Sequence, residues 1–259
     1  MRNDNAVLES AMIETQGLGK QFGDFHAVSG VDLRIQRGHI HSVIGPNGAG
    51  KSTLFNLLGG ALLPSRGSIR FSGHDVTGLS DTQRVHRGMA RSFQITSLFG
   101  QLSVRENLRL AAQAVMRRDA ACFWKRVERV EQASQRAQTL IERLNMQRYA
   151  DVCAGTLAHG QQRMLEVGMC LAARPKLLLL DEPTSGMGVN DLPVMRDLIQ
   201  EVARDHTILL IEHNMSIVLT ISDRITVMAQ GKVLTEGTPD HIQGHADVRR
   251  AYLGSGALS

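Results

Sequence analysis

The sequence contains no apolar run long enough to cross a membrane. A helix that spans a bilayer needs roughly 20 consecutive apolar residues, and the longest candidate here, Leu177 to Leu180, is far shorter. The stretch from Met1 to Thr15 carries acidic residues and no apolar core, so it is not typical of a secretory signal peptide. We therefore expect any membrane role to be peripheral.

The sequence also has few cysteines and a small net charge. The three cysteines, Cys122, Cys153 and Cys170, lack metal-binding spacing, and so sparse and odd a set favours a reducing compartment over a disulfide framework. A formal net charge of +4 is too small to indicate nucleic acid as a partner. The 259 residues, 42% of them hydrophobic, suffice for one large domain, and a charged fraction of 21% argues against disorder.

The strongest motif is a glycine-rich segment between a predicted strand and a predicted helix. Apolar residues from Ile40 to Ile44 predict the buried strand, and Thr53 to Leu58 predicts the start of the helix. The segment follows the pattern G-x-x-x-x-G-K-[ST] of a phosphate-binding loop. Its residues are Gly45, Pro46, Asn47, Gly48, Ala49, Gly50, Lys51, Ser52 and Thr53.

In such a loop, backbone N–H groups surround phosphate oxygens and the positive end of the helix dipole faces the anion. Lys51 would contact the β- and γ-phosphates, and the Ser52 hydroxyl would bind Mg²⁺. An ordinary glycine-rich turn is the alternative, but every fixed position of the motif is occupied and its context is correct. The sequence therefore predicts a nucleoside triphosphate and Mg²⁺ as ligands.

A second apolar strand ends in two acidic residues. The run from Leu177 to Leu180 is typical of a central parallel strand, and Asp181 and Glu182 follow it directly. Ligands of open α/β sheets bind at this carboxyl edge. We expect Asp181 to hold Mg²⁺ through water and Glu182 to polarise the attacking water.

Three further residues are candidates with structural alternatives. Phe22 would stack on an adenine ring or, alternatively, pack at a strand end. Gln94, at the end of a predicted strand from Gly88, would bind Mg²⁺ or a water through its amide oxygen, although most glutamines lie on the surface. His213 follows the apolar strand Thr207 to Ile211 and would donate a hydrogen bond to a γ-phosphate, although a lone histidine there is usually structural.

The pattern from Ser103 to Leu144 is helical. Ser103 and Glu106 form the pattern of a capping box. Farther on, apolar residues at helical spacing are surrounded by lysines and arginines, which predicts an amphipathic helix whose basic side is either solvated or faces a membrane. Another helix is predicted to open at Leu157 and to end at Arg174-Pro175.

The order of these motifs resembles that of the ATP-binding cassette ATPases over nearly the whole chain. Within that family, several short segments are similar to the importers of branched-chain amino acids. These segments are Arg91-Ser92-Phe93-Gln94, Leu102 to Asn107, Glu212 to Met215, Ser222-Asp223-Arg224, Gly237-Thr238-Pro239 and Ala251 to Gly254. The lipopolysaccharide-export ATPases are similar at many of the same positions.

The resemblance implies an α/β fold: a P-loop NTPase core with a parallel central sheet, an N-terminal antiparallel β subdomain and an inserted α-helical subdomain. Residues 1–259 would form a single cassette domain. Its core and antiparallel sheet would occupy about 10–94 and 175–255, and the helical insert about 95–174.

The resemblance also implies that two cassettes enclose two ATP molecules head to tail, each contributing a signature segment to the γ-phosphate held by its partner. That segment, normally Leu-Ser-Gly-Gly-Gln, is here Leu157, Ala158, His159, Gly160 and Gln161. Ala158 removes the serine hydroxyl, so either the N–H of His159 or backbone amides alone would replace it. Gly188 stands where the family usually has aspartate, which leaves the two ATP sites free to be unequal.

By this resemblance, the protein is expected to be the ATP-hydrolysing subunit of an importer at the cytoplasmic face of the bacterial inner membrane. Its partners would be a second cassette subunit, two integral membrane permease subunits and, indirectly, a periplasmic substrate-binding protein. The alternatives are a cassette for a related small solute such as urea or an amide, for lipopolysaccharide export, or for soluble iron–sulfur assembly.

Overall fold

The computed structural model describes residues 11–92, 98–116 and 124–253. The strands are β1 Ala11–Phe22, β2 Phe25–Gln36, β3 Ile40–Ile44, β4 Arg66–Phe71, β5 His74–Asp75, β6 Met89–Arg91, β7 Leu177–Asp181, β8 Thr207–Ile211, β9 Arg224–Ala229 and β10 Lys232–Gly237. The helices are α1 Lys51–Gly59, α2 Asp81–His86, α3 Val104–Ala114, α4 Trp124–Arg143, α5 His159–Ala172, α6 Leu192–Ala203, α7 Met215–Ile221, α8 Pro239–Gly244 and α9 Ala246–Leu253. Short 3₁₀ turns at Gln147–Tyr149 and Ala154–Thr156 lead from α4 to α5.

The strands form two sheets. A four-stranded sheet has the order β2-β1-β4-β5, and its neighbours pair antiparallel. A six-stranded sheet has the order β10-β9-β3-β8-β7-β6. All its pairs are parallel except β9 with the edge strand β10.

The three central strands β3, β8 and β7 are buried at every residue. Because such a sheet is covered on both faces, β7 and β8 are nearly continuous apolar runs rather than alternating ones. In β3 the buried polar side chains of His41 and Ser42 lie at hydrogen-bond distance from the hydroxyls of Thr226 and Ser222. Parallel pairing brings the carboxyl ends of the three strands to one edge, where Gly45, Glu182 and Glu212 follow β3, β7 and β8. This edge positions the site described below.

Helices α3, α4 and α5 pack together through a shared apolar cluster that includes Leu108, Ile141 and Leu165. The N-terminus of α3 differs from the sequence prediction. The Ser103 hydroxyl accepts the N–H of Glu106 at 3.2 Å, but the Glu106 carboxylate pairs with Arg109 at 2.7 Å instead of returning to Ser103. The guanidinium is the stronger, charged donor, so only half of the capping box forms. Every helix in the described ranges is too short or too polar to cross a bilayer.

Candidate functional site

The loop between β3 and α1 requires glycine at two positions. Gly45 has φ +154°, and a Cβ there would lie 2.3 Å from the carbonyl oxygen of Met228. Gly50 has φ +97°, and a Cβ there would lie 2.5 Å from the carbonyl oxygen of Ala27. Both obstructing atoms belong to backbone and cannot move aside cheaply, so larger residues are excluded by neighbouring strands.

Distant segments brace this loop. The N–H of Gly231, in the turn between β9 and β10, donates to the carbonyl of Ala49 at 3.0 Å. The carbonyl of Gly231 accepts the N–H of Ser29 at 2.8 Å. Gln230 and Gly231 have φ values of +48° and +76°, as a tight two-residue hairpin requires. The β9–β10 hairpin thus joins the loop to β2.

The amides at the start of α1 are available to a ligand. The N-terminus of α1 has no side-chain cap and no acidic residue in its first turn. The N–H of Leu54 bonds to the carbonyl of Gly50 at 2.9 Å, which leaves the preceding amides of Lys51, Ser52 and Thr53 without an intrahelical acceptor. Such a helix end suits an anion.

The Lys51 ammonium is held over the loop. Its Nζ donates to the carbonyl of Gly45 at 2.7 Å and to that of Pro46 at 3.1 Å. Burial lowers the pKa of Lys51, and the nearby charges of Glu182 and Asp181 act in the opposite direction. Lysine and carboxylates therefore share one site.

Asp181, the last residue of β7, is 4% exposed. Among the described residues, neither carboxylate oxygen has a hydrogen-bond partner, and Nη2 of Arg91 lies 3.9 Å from Oδ2. Burial raises the pKa of Asp181; Arg91 and Lys51 oppose the rise, while Glu182 and Glu212 add to it. A buried carboxylate without partners is costly, so this group is suited to a cation or donor that arrives with a ligand.

Glu182 and His213 meet at the ends of β7 and β8. The N–H of Glu182 donates to the carbonyl of Ile211 at 2.8 Å, and Glu182 has φ +48°, which is unusual for a residue with a side chain. Its Oε2 lies 3.8 Å from Nδ1 of His213, and the His213 side chain is mostly exposed. An acid and an imidazole are thus side by side at the carboxyl edge.

Glu212, the residue between β8 and His213, is fully buried at 0% exposure. Its Oε1 accepts the N–H of Thr184 at 2.9 Å and the hydroxyl of Thr184 at 2.5 Å. Its Oε2 accepts the N–H groups of His213 at 3.1 Å and Asn214 at 3.4 Å. Glu212 was not among the residues predicted from the sequence, although an acid at the end of a mainly apolar strand is the same pattern that indicated Asp181.

The aromatic candidate Phe22 lies at the end of β1, with its ring 46% exposed and Nζ of Lys20 5.2 Å from the ring centroid. Its cross-strand partner Phe25, which the sequence analysis did not consider, is 65% exposed. Packing in the core does not account for either ring. Gln94 lies outside the described residues.

The signature segment begins α5. The N–H of Ala158 donates to Oε1 of Gln161 at 3.1 Å, and Nε2 of His159 lies 3.1 Å from the carbonyl oxygen of Ser185. A Cβ on Gly160 would lie 2.8 Å from a carboxylate oxygen of Asp191. Within the described part of the chain, no hydrogen bond joins Leu157–Gln161 to the phosphate loop.

Family models and curated proteins agree on the relatives of this chain. The model of the ABC transporter family matches residues 28–185, and that of the branched-chain amino acid ATP-binding cassette transporter matches residues 232–257. The chain is 40% identical over 251 residues to the high-affinity branched-chain amino acid transport ATP-binding protein BraF of Pseudomonas aeruginosa, covering 94% of this chain and 98% of BraF. It is 38% identical over 255 residues to LivG of Escherichia coli, covering 95% and 99%.

A solved structure gives the same answer for the fold. A nucleotide-free ATP-binding cassette from an ABC transporter matches with a TM-score of 0.83 at 28% identity, covering 93% of this chain and 98% of that one. The expected α/β cassette fold is thereby confirmed. The chain belongs to the ABC transporter family, as one of its ATP-binding, ATP-hydrolysing subunits.

Proposed function

We propose that this protein energises the uptake of branched-chain or related hydrophobic amino acids. Support for the substrate class comes from the names of BraF and LivG and from the second family model, which covers β10 and the helices after it. Support for the chemistry comes from the site itself. The observation that carries it is Asp181, which lies beside Lys51 and Glu182 and whose buried oxygens have no hydrogen-bond partner among the described residues.

ATP would bind through the phosphate loop, from Gly45 to Thr53. The free amides of α1 and the Lys51 ammonium are the donors for phosphate oxygens. The exposed ring of Phe22 would stack on the adenine, and Phe25 offers a second ring beside it.

The residues present fit Mg²⁺. The described residues hold no cluster of three or more His, Cys, Asp or Glu side chains suited to a metal, so the ion would depend on Asp181, the Ser52 hydroxyl, Gln94 and the phosphates of its nucleotide. Bound there, Mg²⁺ would neutralise phosphate charge. It would also satisfy the buried Asp181 oxygens.

Glu182 is the proposed general base and His213 the proposed donor to the γ-phosphate. Glu182 would accept a proton from the attacking water, since a carboxylate at a strand end can act at hydrogen-bond distance. His213 lies close enough to Glu182 for both to face one phosphate.

Two cassettes would act together. The signature segment Leu157, Ala158, His159, Gly160 and Gln161 would complete the ATP site of a second cassette, either another copy or a different subunit. ATP would then contact both subunits only in the closed dimer, and this difference in affinity would drive closure.

A mainly apolar cavity of about 330 Å³ is the candidate site for contact with a membrane subunit. It lies between the region of α2 and β6 and the helices α3 and α5, with Val85, Ala111, Ala114 and Met169 among its lining residues. We propose that a helix of a permease subunit docks here, which would place the cassette at the cytoplasmic face of the inner membrane and link it, through two permeases, to a periplasmic binding protein.

Two substitutions test the ATPase assignment. Lys51→Ala should weaken ATP binding by about 2–5 kcal/mol, because the phosphate loses a buried charge partner. Glu182→Gln should abolish turnover and retain ATP affinity, because the amide keeps the shape but cannot act as a base. Both are measured as nucleotide affinity and ATPase rate in the assembled transporter; unchanged affinity for Lys51→Ala or normal turnover for Glu182→Gln contradicts the assignment.

The substrate is tested by reconstitution. The protein, its membrane subunits and their periplasmic binding protein are assembled in vesicles, and ATPase stimulation is compared for leucine, urea and an aliphatic amide. Stimulation by leucine alone supports the proposal, and stimulation by urea or the amide alone favours the related-solute alternative. Failure to co-purify with any membrane subunit favours soluble iron–sulfur assembly.

A further inference from the structure

The two loops that carry Glu182 and His213 are joined through one buried side chain. The first loop follows β7 and includes Thr184 and Ser185; the second follows β8 and leads into α7. Glu212 bonds to both through its separate oxygens, as described above. We call Glu212, Thr184 and the backbone amides of His213 and Asn214 the strand-end clamp.

The clamp has no substitute among the described residues. Apart from it, the hydrogen bond from the N–H of Glu182 to the carbonyl of Ile211 is the only one that joins the two loop regions in that part of the chain. Glu212 is fully enclosed and Thr184 is 5% exposed, so water cannot replace a lost donor or acceptor. Each oxygen of Glu212 accepts at least one backbone N–H, which matches a carboxyl group and not a side-chain amide.

We propose that Glu212 is a positioning residue for ATP hydrolysis: its buried carboxylate fixes the Glu182 loop against His213, so that general base and phosphate donor keep one geometry. The inference rests on the proposed roles of Glu182 and His213. It concerns rate rather than nucleotide affinity, because the clamp touches neither the phosphate loop nor α1 in the described structure. An error of about 1 Å in such an arrangement can cost about a hundredfold in rate.

The clamp also reaches the signature segment. Thr184 is followed by Ser185, whose carbonyl is 3.1 Å from Nε2 of His159. A Cβ on Gly186, with φ +74°, would lie 2.8 Å from the same imidazole nitrogen. The loop that Glu212 holds is therefore packed against the segment proposed to face the second cassette.

The test compares Glu212→Gln and two Thr184 variants in the full transporter, at a temperature where every variant is folded. Gln keeps one oxygen acceptor but turns an N–H₂ group toward the other pair of donors. We expect kcat to fall about tenfold or more while ATP affinity stays within about twofold. Thr184→Val, which lacks the hydroxyl, should show a smaller fall in kcat, and Thr184→Ser should restore it.

The double variant Glu212→Gln/Thr184→Val should have nearly the kcat of Glu212→Gln alone, because both changes disrupt one interaction. Glu236→Gln is the matched control. Glu236 accepts the Thr226 hydroxyl at 3.0 Å and pairs with Arg224 in the β9–β10 hairpin, away from the clamp. Its variant should leave kcat and ATP affinity unchanged.

The proposal is overturned if Glu212→Gln retains kcat within about twofold of the parent, or if kcat and ATP affinity fall together in that variant. If Glu212→Gln does not fold, the Thr184 pair decides: equal kcat for Thr184→Ser and Thr184→Val overturns the proposal, and a lower kcat for Val alone supports it. Normal turnover in Glu182→Gln instead refutes the proposed base, whatever the clamp variants do, so the two failures are distinguishable.

Discussion

Asp181 and Glu212 are buried carboxylates at the ends of two neighbouring strands of one sheet, yet their surroundings are opposite. In the described part of the chain both oxygens of Asp181 lack a hydrogen-bond partner, whereas the oxygens of Glu212 accept four hydrogen bonds. Burial is costly for either group unless it is compensated. The fold therefore satisfies the hydrogen-bonding capacity of Glu212 and leaves that of Asp181 for a ligand to satisfy.

The largest expected effect comes from Asp181→Asn. If a cation that arrives with nucleotide completes Asp181, the variant should lose about a hundredfold or more in ATPase rate, since charge stabilisation at the phosphates is lost. The nucleotide-free variant should be about 1 kcal/mol more stable than the parent, because a buried charge without hydrogen bonds is removed. ATPase assays over a Mg²⁺ titration and denaturant unfolding without nucleotide measure these effects.

A second expected result distinguishes a specific effect of Asp181→Asn on the ligand site from a general loss of stability. The added stability that Mg²⁺ and ATP give the parent together, over ATP with a chelator, should disappear in the variant. A variant that is destabilised without nucleotide, or that keeps the full Mg²⁺-dependent gain, would show that Asp181 is not completed by a ligand.

Glu212→Gln should behave in the opposite way without nucleotide. Its free energy of unfolding should fall by about 1–3 kcal/mol, because a buried donor pair loses its acceptor. Denaturant titration of the nucleotide-free protein measures the loss, with Asp181→Asn as its counterpart. Equal changes in stability for the two variants would remove the distinction between the carboxylates.

The last comparison concerns His159 in the signature segment, and whether the chain itself or a ligand satisfies its hydrogen bonds. A carbonyl only accepts, so the contact with Ser185 assigns the proton to Nε2 of His159 and leaves the neutral ring without a second N–H. His159 is therefore completed within the chain. We expect Ala158→Ser to make the free energy of ATP-dependent closure more favourable by at most about 1.5–3 kcal/mol, the value of one hydrogen bond to a charged group.

His159→Ala provides the comparison in the same assay of ATPase rate with both cassettes and the membrane subunits. A modest change, of at most about 1 kcal/mol, is expected from the loss of one hydrogen bond. A severe loss of turnover together with a silent Ala158→Ser would mean that His159, not a missing hydroxyl, serves the partner's phosphate. If neither substitution changes the ATPase rate, backbone amides alone are the donors to the partner's phosphate.

The sequence was sufficient where a local pattern decides the outcome. Mainly apolar segments predicted β3, β7 and β8, because burial on both faces of a sheet favours such segments. The order of motifs identified the cassette family. The roles of the site residues stay proposals, and Gln94 lies outside the described residues.

The sequence was insufficient where a polar side chain depends on distant backbone. Arg84 is 1% exposed and donates to the carbonyls of Leu57 and Leu58 at the end of α1, yet its own helix gives no sign of burial. The Glu106 carboxylate pairs with Arg109 rather than with the N–H of Ser103. Glu212 lies beside Thr184 because β7 and β8 are paired in the sheet. Such partners are set by tertiary packing, which no local window contains.

The hydrogen bond between Gly231 and Ala49 also bears on the order of events during synthesis. The phosphate loop leaves the ribosome early, but the hairpin that braces it is among the last parts of the described chain to be made. At about 5–20 residues per second, the ribosome takes many seconds to make the chain between the phosphate loop and this hairpin. We therefore expect nascent chains that lack the hairpin to bind nucleotide poorly, so that ATP binding marks a cassette whose translation has passed β10.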